Sequence, residues 1–320
     1  MLSQSIKQLI NSFLILNKIS LVLSILLILI ILTSILLKLE ASKRLSFRLY
    51  IIIGLADLLN HICLLFDYGK SSSLCHLLNN VSFFSNFLFI SVNLVLAYNL
   101  HCIFLLNKKK YLFTEVQYLI FIFTFSTVLT TPLIFLSILN TSTCPIWNIV
   151  PSPNDLLLMY GLFGIWVIIP CIYCSIIFIL VLATILRVKF FPTRRNSIDS
   201  LASVEALKEY QSPPMMNSIL RLILYPIVPS LTLLPYIILY TFKNEIPLTS
   251  TLSIGISYFA STTPGTINFL FFLFDPAILS IYKELRQYKY PIRIPNEEQS
   301  VNSNLTLIEY NSKPELYYLL

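Results

Sequence analysis

The apolar residues of this chain fall into seven long blocks, at about Ile19 to Leu37, Leu49 to Phe66, Leu78 to Leu105, Tyr118 to Leu139, Leu156 to Ile185, Leu222 to Phe242 and Leu252 to Ile281. A hydrocarbon core of about 30 Å is crossed by about 20 residues of helix. The pattern therefore predicts an all-α membrane protein, a seven-transmembrane helix bundle over residues 19–281. A short segment, 1–18, precedes it and a tail, 282–320, follows. The first block has no A-x-A-like cleavage pattern and is followed by Lys38, so it reads as a retained helix and not a signal peptide.

Charge gives the expected orientation. Basic residues crowd into every second gap: four around Lys43, three at Lys108 to Lys110, six from Arg187 to Arg221 and five in the tail, 18 of the 22 Lys and Arg. The N-terminal segment holds Lys7 and Lys18, and the other gaps hold only Lys70 and Lys243. Basic loops stay cytoplasmic, so the N-terminus is expected outside and the C-terminus inside. An odd number of crossings agrees with this, and the plasma membrane is the expected location.

Composition narrows the class further. With 56% hydrophobic and 12% charged residues and a mean hydropathy of +0.79, the chain is too apolar for a soluble domain of this length. Its net charge of +7 is divided among separate gaps and not gathered on one face, which argues against a nucleic-acid partner. Anionic lipid headgroups and an acidic cytosolic partner are the expected counterparts.

Of six cysteines, Cys63, Cys102, Cys171 and Cys174 lie within apolar blocks and read as small packing residues. The charge-based topology puts Cys75 and Cys144 on the outer, oxidising side, where a disulfide between them is compatible with the compartment. That bridge would hold the second outer gap, Asn140 to Asp155, over the mouth of the bundle. This gap carries Trp147 and three prolines, which stiffen it, and an Asn140-Thr141-Ser142 sequon close to the end of the fourth block. The third inner loop, about 187–218, contains Arg194-Arg195-Asn196-Ser197, a match for a basic-directed kinase at Ser197 that a plain solvated loop would also explain. After the seventh block, Tyr282 to Lys289 predicts a short amphipathic segment on the membrane surface.

Ionisable groups inside a bilayer are costly and usually functional. Asp57 falls near the midplane, His61 follows one turn later on the same helix face, Asn268 is the obvious polar residue of the seventh block, and Asp275 lies two turns beyond it. These four predict a polar switch between the second and seventh helices; the plainer alternative is interhelical hydrogen bonding. The histidines lie at different depths, no protease, hydrolase or phosphate-binding motif is present, and neither a metal, a cofactor nor an enzymatic activity is expected. Prolines within the blocks, among them Pro132, Pro170, Pro226, Pro229, Pro235 and Pro264, permit kinks.

Seven helices, an outer N-terminus, the Cys75 and Cys144 positions and a long basic third inner loop together resemble a G-protein-coupled receptor. Gly54-Leu55-Ala56-Asp57-Leu58-Leu59 resembles the helix-two signature of such receptors, and Phe271 to Ala277, with Asp275-Pro276, resembles their helix-seven signature. Leu279 stands where that signature has tyrosine, and the third helix lacks the D/E-R-Y ending of the rhodopsin-like group. Phe47-Arg48-Leu49-Tyr50, Asn99-Leu100-His101 and Arg221-Leu222-Ile223-Leu224-Tyr225-Pro226 are similar to strings of the fungal and amoebal receptors related to cyclic-AMP receptors and glucose sensors. The resemblance implies a heterotrimeric G protein as partner, touching Asn99, His101, Lys108, Arg194, Arg195 and Arg221 at the cytoplasmic mouth. It also implies a small extracellular ligand, for which Trp147, Tyr160 and Trp166 are the candidate lining residues. The rival class is a seven-helix solute or sugar transporter, which should show repeated halves and a polar path; neither is visible in the sequence.

Overall fold

The computed structural model describes residues 4–39, 45–66, 72–106, 114–139, 160–190, 224, 227–241, 251–274, 278 and 281–282. These are helical, with no strand among the described residues. The helices are α1 (Gln4–Leu36), α2 (Leu45–Leu65), α3 (Ser72–Leu100), α4 (Glu115–Leu139), α5 (Ile165–Phe190), α6 (Val228–Thr241), α7 (Thr251–Thr262) and α8 (Pro264–Leu273). A π-helical turn, His101–Leu105, continues α3, and another, Tyr160–Gly164, leads into α5. Five helices, α1 to α5, are long and apolar enough to cross a membrane. That marks the chain as a membrane protein.

The seven apolar blocks all contain helix, but their limits differ from expectation. α1 begins at Gln4, well before Ile19, because the polar residues ahead of the apolar run do not break a helix; Asn17 and Ser20 are turned inward and buried. α5 continues past Ile185 to Phe190, into what reads as the third inner loop. In the sixth block only Val228–Thr241 is described as α-helix. The seventh is divided at Thr263, where Pro264 supplies no amide hydrogen and takes the first position of α8.

Local chemistry accounts for the helix ends that are described. α4 opens with a capping box: the Thr114 amide donates to Gln117 Oε1 at 2.7 Å, and the Gln117 amide donates to Thr114 Oγ1 at 3.4 Å. α1 closes with the Leu39 amide bonded to the Ser34 carbonyl and the Lys38 amide to that of Ile35. This Schellman arrangement places Lys38 at φ 53°, a conformation usually left to glycine.

The helices form a closed chain of contacts in which α3 meets α2, α4, α5 and α6. α1 packs on α2, α2 on α3, α3 on both α4 and α5, α5 on α6, and α6 on α7, while α7 and α8 return to α1. Asn17 meets His61 and Leu27 meets Gly54, so α1 and α2 are antiparallel. Phe272 stacks near Phe47 and Tyr50 while Asn268 meets Asp57, so α8 is antiparallel to α2 and parallel to α1. Side chains such as Val22, Leu29, Phe123, Val128, Ile169 and Ile179 face outward and exposed, as lipid contact requires.

Candidate functional site

The buried polar residues of α1, α2 and α8 converge on one corner of the bundle. On α8 the positions 265, 268 and 272 share a face by their 3 and 4 spacing, and that face lies against α2. Phe272 packs between Phe47 and Tyr50, with ring centroids 5.9 Å from each. One turn earlier, Asn268 Nδ2 donates to Asp57 Oδ2 at 2.7 Å; both residues are buried. A further turn up, Gly265 meets His61. At α7, Asn60 Nδ2 donates to the Ser261 carbonyl at 3.4 Å, and Ser82 Oγ of α3 donates to Asn60 Oδ1 at 2.8 Å.

α1 closes the corner from the other side. Asn17 Nδ2 donates to the His61 carbonyl at 3.2 Å, and Asn17 Oδ1 lies 2.7 Å from His61 Nδ1. Ser20 Oγ donates to the Thr262 carbonyl at 2.6 Å and contacts Thr266 Oγ1 at 2.6 Å. Gly265 is required by this crowding: a Cβ there would stand 2.6 Å from His61 Nε2 and 2.7 Å from Ser24 Oγ. Helices with small and hydroxyl-bearing residues at their contact approach closely in just this way.

The expected pairing of the second and seventh helices through Asp57, His61 and Asn268 is therefore one corner of the structure, while Asp275 lies outside the described residues. Asn17, Asn60 and Gly265 escaped the sequence reading, as did the hydroxyl residues Ser20, Ser24, Ser82, Thr262 and Thr266. A signal for the first existed, since Asn17, Ser20 and Ser24 form a polar stripe at 3 and 4 spacing along an otherwise apolar helix.

A second polar cluster occupies the end of the bundle where α3 finishes and α4 begins. Tyr118 OH donates to Asn99 Oδ1 at 2.6 Å, and His101 Nδ1 lies 2.9 Å from Tyr173 OH. Arg48 Nη1 reaches both oxygens of Glu115, at 2.8 and 3.0 Å, in a half-exposed pair that ties α2 to α4. Asn99 and His101 are thus engaged in contacts within the bundle. Of their expected neighbours at the cytoplasmic mouth, Lys108, Arg194, Arg195 and Arg221 lie outside the described residues, as do Ser197 and Pro226.

Of the outer candidates, Tyr160 and Trp166 are among the described residues. Tyr160 opens the π turn ahead of α5. Trp166 is 40% exposed on the outside of the bundle, edge-on to Phe125 of α4, and does not line its interior. Trp147 lies outside the described residues. Cys63, Cys102, Cys171 and Cys174 are buried free thiols; Cys75, also buried, is not among them, and Cys144 lies outside the described residues. No cluster of three His, Cys, Asp or Glu side chains able to hold a metal occurs among the described residues.

No known family model matches the chain, and no curated protein matches it in sequence.

Proposed function

We propose that this protein is a seven-helix membrane receptor that takes a small extracellular ligand and activates a heterotrimeric G protein. The observation that carries the reading is the buried Asp57–Asn268 hydrogen bond at the crossing of α2 and α8. A carboxyl group near the bilayer midplane is an expensive feature for mere cohesion, and it sits where α8 is separated from α7 by a proline break. A ligand that favours one packing of this corner shifts the population of the bundle by its differential affinity. The parallel course of α1 and α8 supports an odd number of crossings, and the alternating charge of the gaps supports an outer N-terminus.

In this reading α6, α7 and α8 complete the sixth and seventh crossings. The Cys75–Cys144 bridge would fasten the second outer loop, and the end of α3, with Asn99, His101 and the basic inner loops, would meet an acidic G-protein surface. The test is reconstitution of the full chain with G proteins in lipid nanodiscs, following nucleotide exchange while a panel of small molecules is applied, with solute uptake measured in parallel in liposomes. Ligand-dependent exchange supports the receptor. Uptake without exchange would replace it by the transporter class.

A further inference from the structure

His61 is completely buried, and its two ring nitrogens have unlike surroundings. Asn17 Nδ2 donates to the His61 carbonyl, which fixes the amide so that Oδ1, an acceptor only, faces Nδ1 at 2.7 Å. Nδ1 must then carry the hydrogen. The lone pair of the neutral ring is left on Nε2, which has no hydrogen-bond partner although it is fully enclosed. A buried polar atom left in this way needs an explanation.

Its neighbours supply one. Nε2 and Ser24 Oγ lie 2.6 and 2.7 Å from the point where a Cβ on Gly265 would stand, so they are at most about 5.3 Å apart. Nε2 is fully enclosed, so what closes the span is a direct bond made as the two side chains approach. Ser24 Oγ already spends its hydrogen on the Ser20 carbonyl at 2.9 Å, so toward His61 it can only accept. A lone-pair nitrogen facing an acceptor oxygen is one proton short of a hydrogen bond.

We propose that His61 Nε2 is a proton-binding site, with Ser24 Oγ as the direct acceptor that holds the protonated ring and with glycine at 265 leaving room for both atoms. The proton adds to the Nε2 lone pair from water, and no bond in the protein is broken. The groups placed against the ring are uncharged, Asn17 and Ser24 from α1 and Gly265 from α8, and the buried polar residues of α1, α3, α7 and α8 in the same corner, Ser20, Ser82, Thr262, Thr266 and Asn268, are uncharged too. On α2 itself the titratable residues nearby are Asp57, one turn away, and the Cys63 thiol. A proton on His61 therefore puts a cation one helical turn from the carboxyl that Asn268 holds, and it couples the α1–α2 contact to the α2–α8 contact. His61 is also one turn, about 6 Å of rise, from the end of α2 at Leu65. In the expected topology that end faces outward, so the bundle would respond to acidity outside the cell.

The proton site does not need the receptor reading; only its signalling consequence rests on it. The test uses the full chain with 15N-labelled histidine in lipid nanodiscs, where NMR distinguishes the two neutral tautomers and the cation. The chain has three histidines, and the His61 signal is the one missing from His61→Gln. The expected result is the Nδ1–H tautomer at high pH, converting to the cation as pH falls. Ser24→Ala, which removes the acceptor with little change of volume, should weaken proton affinity by about tenfold. Gly265→Ala should weaken it further, or exchange the tautomer, because the added Cβ would press on both Nε2 and Ser24 Oγ. A ring that stays neutral over the whole range in which the bundle is folded overturns the proposal, as does the Nε2–H tautomer at high pH. An unchanged midpoint in Ser24→Ala overturns the assignment of the acceptor. Nucleotide exchange is scored separately: its absence beside a normal His61 titration counts against the receptor and leaves the proton site standing.

Discussion

Replacing Asp57 and Asn268 by leucine, singly and together, tests the contact on which the corner depends. The two side chains are buried, their bond from Asn268 Nδ2 to Asp57 Oδ2 is 2.7 Å long, and Asn268 Oδ1 has no hydrogen-bond partner. In Asn268→Leu the Asp57 carboxyl loses its donor inside an apolar wall; in Asp57→Leu the Asn268 amide is left with nothing to pair with. Leaving a buried polar group unsatisfied costs about 1–3 kcal/mol, whereas exchanging both partners for apolar groups of similar shape is close to neutral. Interhelical hydrogen bonds in membranes average about 0.6 kcal/mol and reach about 1.7. Each single variant should therefore lose about 1–2 kcal/mol, and the double variant less than either, a coupling of about 1 kcal/mol or more. The four buried free thiols, Cys63, Cys102, Cys171 and Cys174, supply the assay, because a thiol-reactive dye reaches them only as the bundle opens on heating. At about 2–4 °C per kcal/mol the single variants should fall several degrees below the parent. Additive losses in the double variant would refute the pairing, whatever the size of the single effects.

Other changes should behave according to their surroundings. Lys38→Gly should raise the labelling midpoint, by about 1 kcal/mol, because Lys38 holds φ 53° at the end of α1 where a side chain is a burden. Arg48→Ala should cost no more than about 1 kcal/mol and should lose most of its effect in high salt, since the Arg48–Glu115 pair is 44% and 39% exposed. Gly54→Ala should cost about 1 kcal/mol or more, because the added Cβ would stand 2.7 Å from Leu27 Cδ2 and 2.9 Å from Ile28 Cγ1, and Gly54→Leu should cost more, up to about 3 kcal/mol, in the same assay. Cys144→Ser should lower surface expression or ligand binding if the proposed outer bridge forms, and Cys174→Ser should not; equal effects of the two would argue against the bridge.

The parts of this fold that were legible in the sequence are those governed by length, depth and proline. Apolar runs long enough to cross a bilayer became helices, Asp57 and Asn268, legible as polar residues within apolar blocks, are hydrogen-bonded to each other, and the last block is divided at Pro264, whereas Pro132, Pro170 and Pro235 stay inside α4, α5 and α6. Direction around a helix axis was not legible. Trp166 lies at the depth of a pocket residue but faces outward against Phe125, because depth says nothing about azimuth in a helix that is apolar on all sides. Asn17 was lost for a related reason: its position ahead of the apolar run suggests water, yet α1 extends past it and His61 engages it. Gly265 could not be found from pattern at all. What a glycine makes room for is set by neighbours far away in the chain, here Ser24 and His61.

The break between α7 and α8 gives these contacts their mechanical meaning. Thr263 stands outside both helices, yet its amide still bonds to the Phe259 carbonyl at 3.1 Å and its own carbonyl accepts the Ile267 amide at 3.0 Å, so the joint is bridged on both sides. Immediately before it, Thr262 is held by Ser20 through its carbonyl; immediately after it, Gly265 is pressed against Ser24 and His61, and Thr266 touches Ser20. α1 therefore grips both sides of the joint, while α2 grips α8 at Asp57 and Phe47. A rotation of α8 about the joint has to trade the α2 contacts against those of α1, because Asn268 and Gly265 sit on one rigid helix face one turn apart. Packed helices of this kind have a few discrete arrangements and do not slide continuously. On the receptor reading proposed above, the groups that would choose between such arrangements are those bonded across the helix contacts of this corner, Asn17, Asp57, His61 and Asn268.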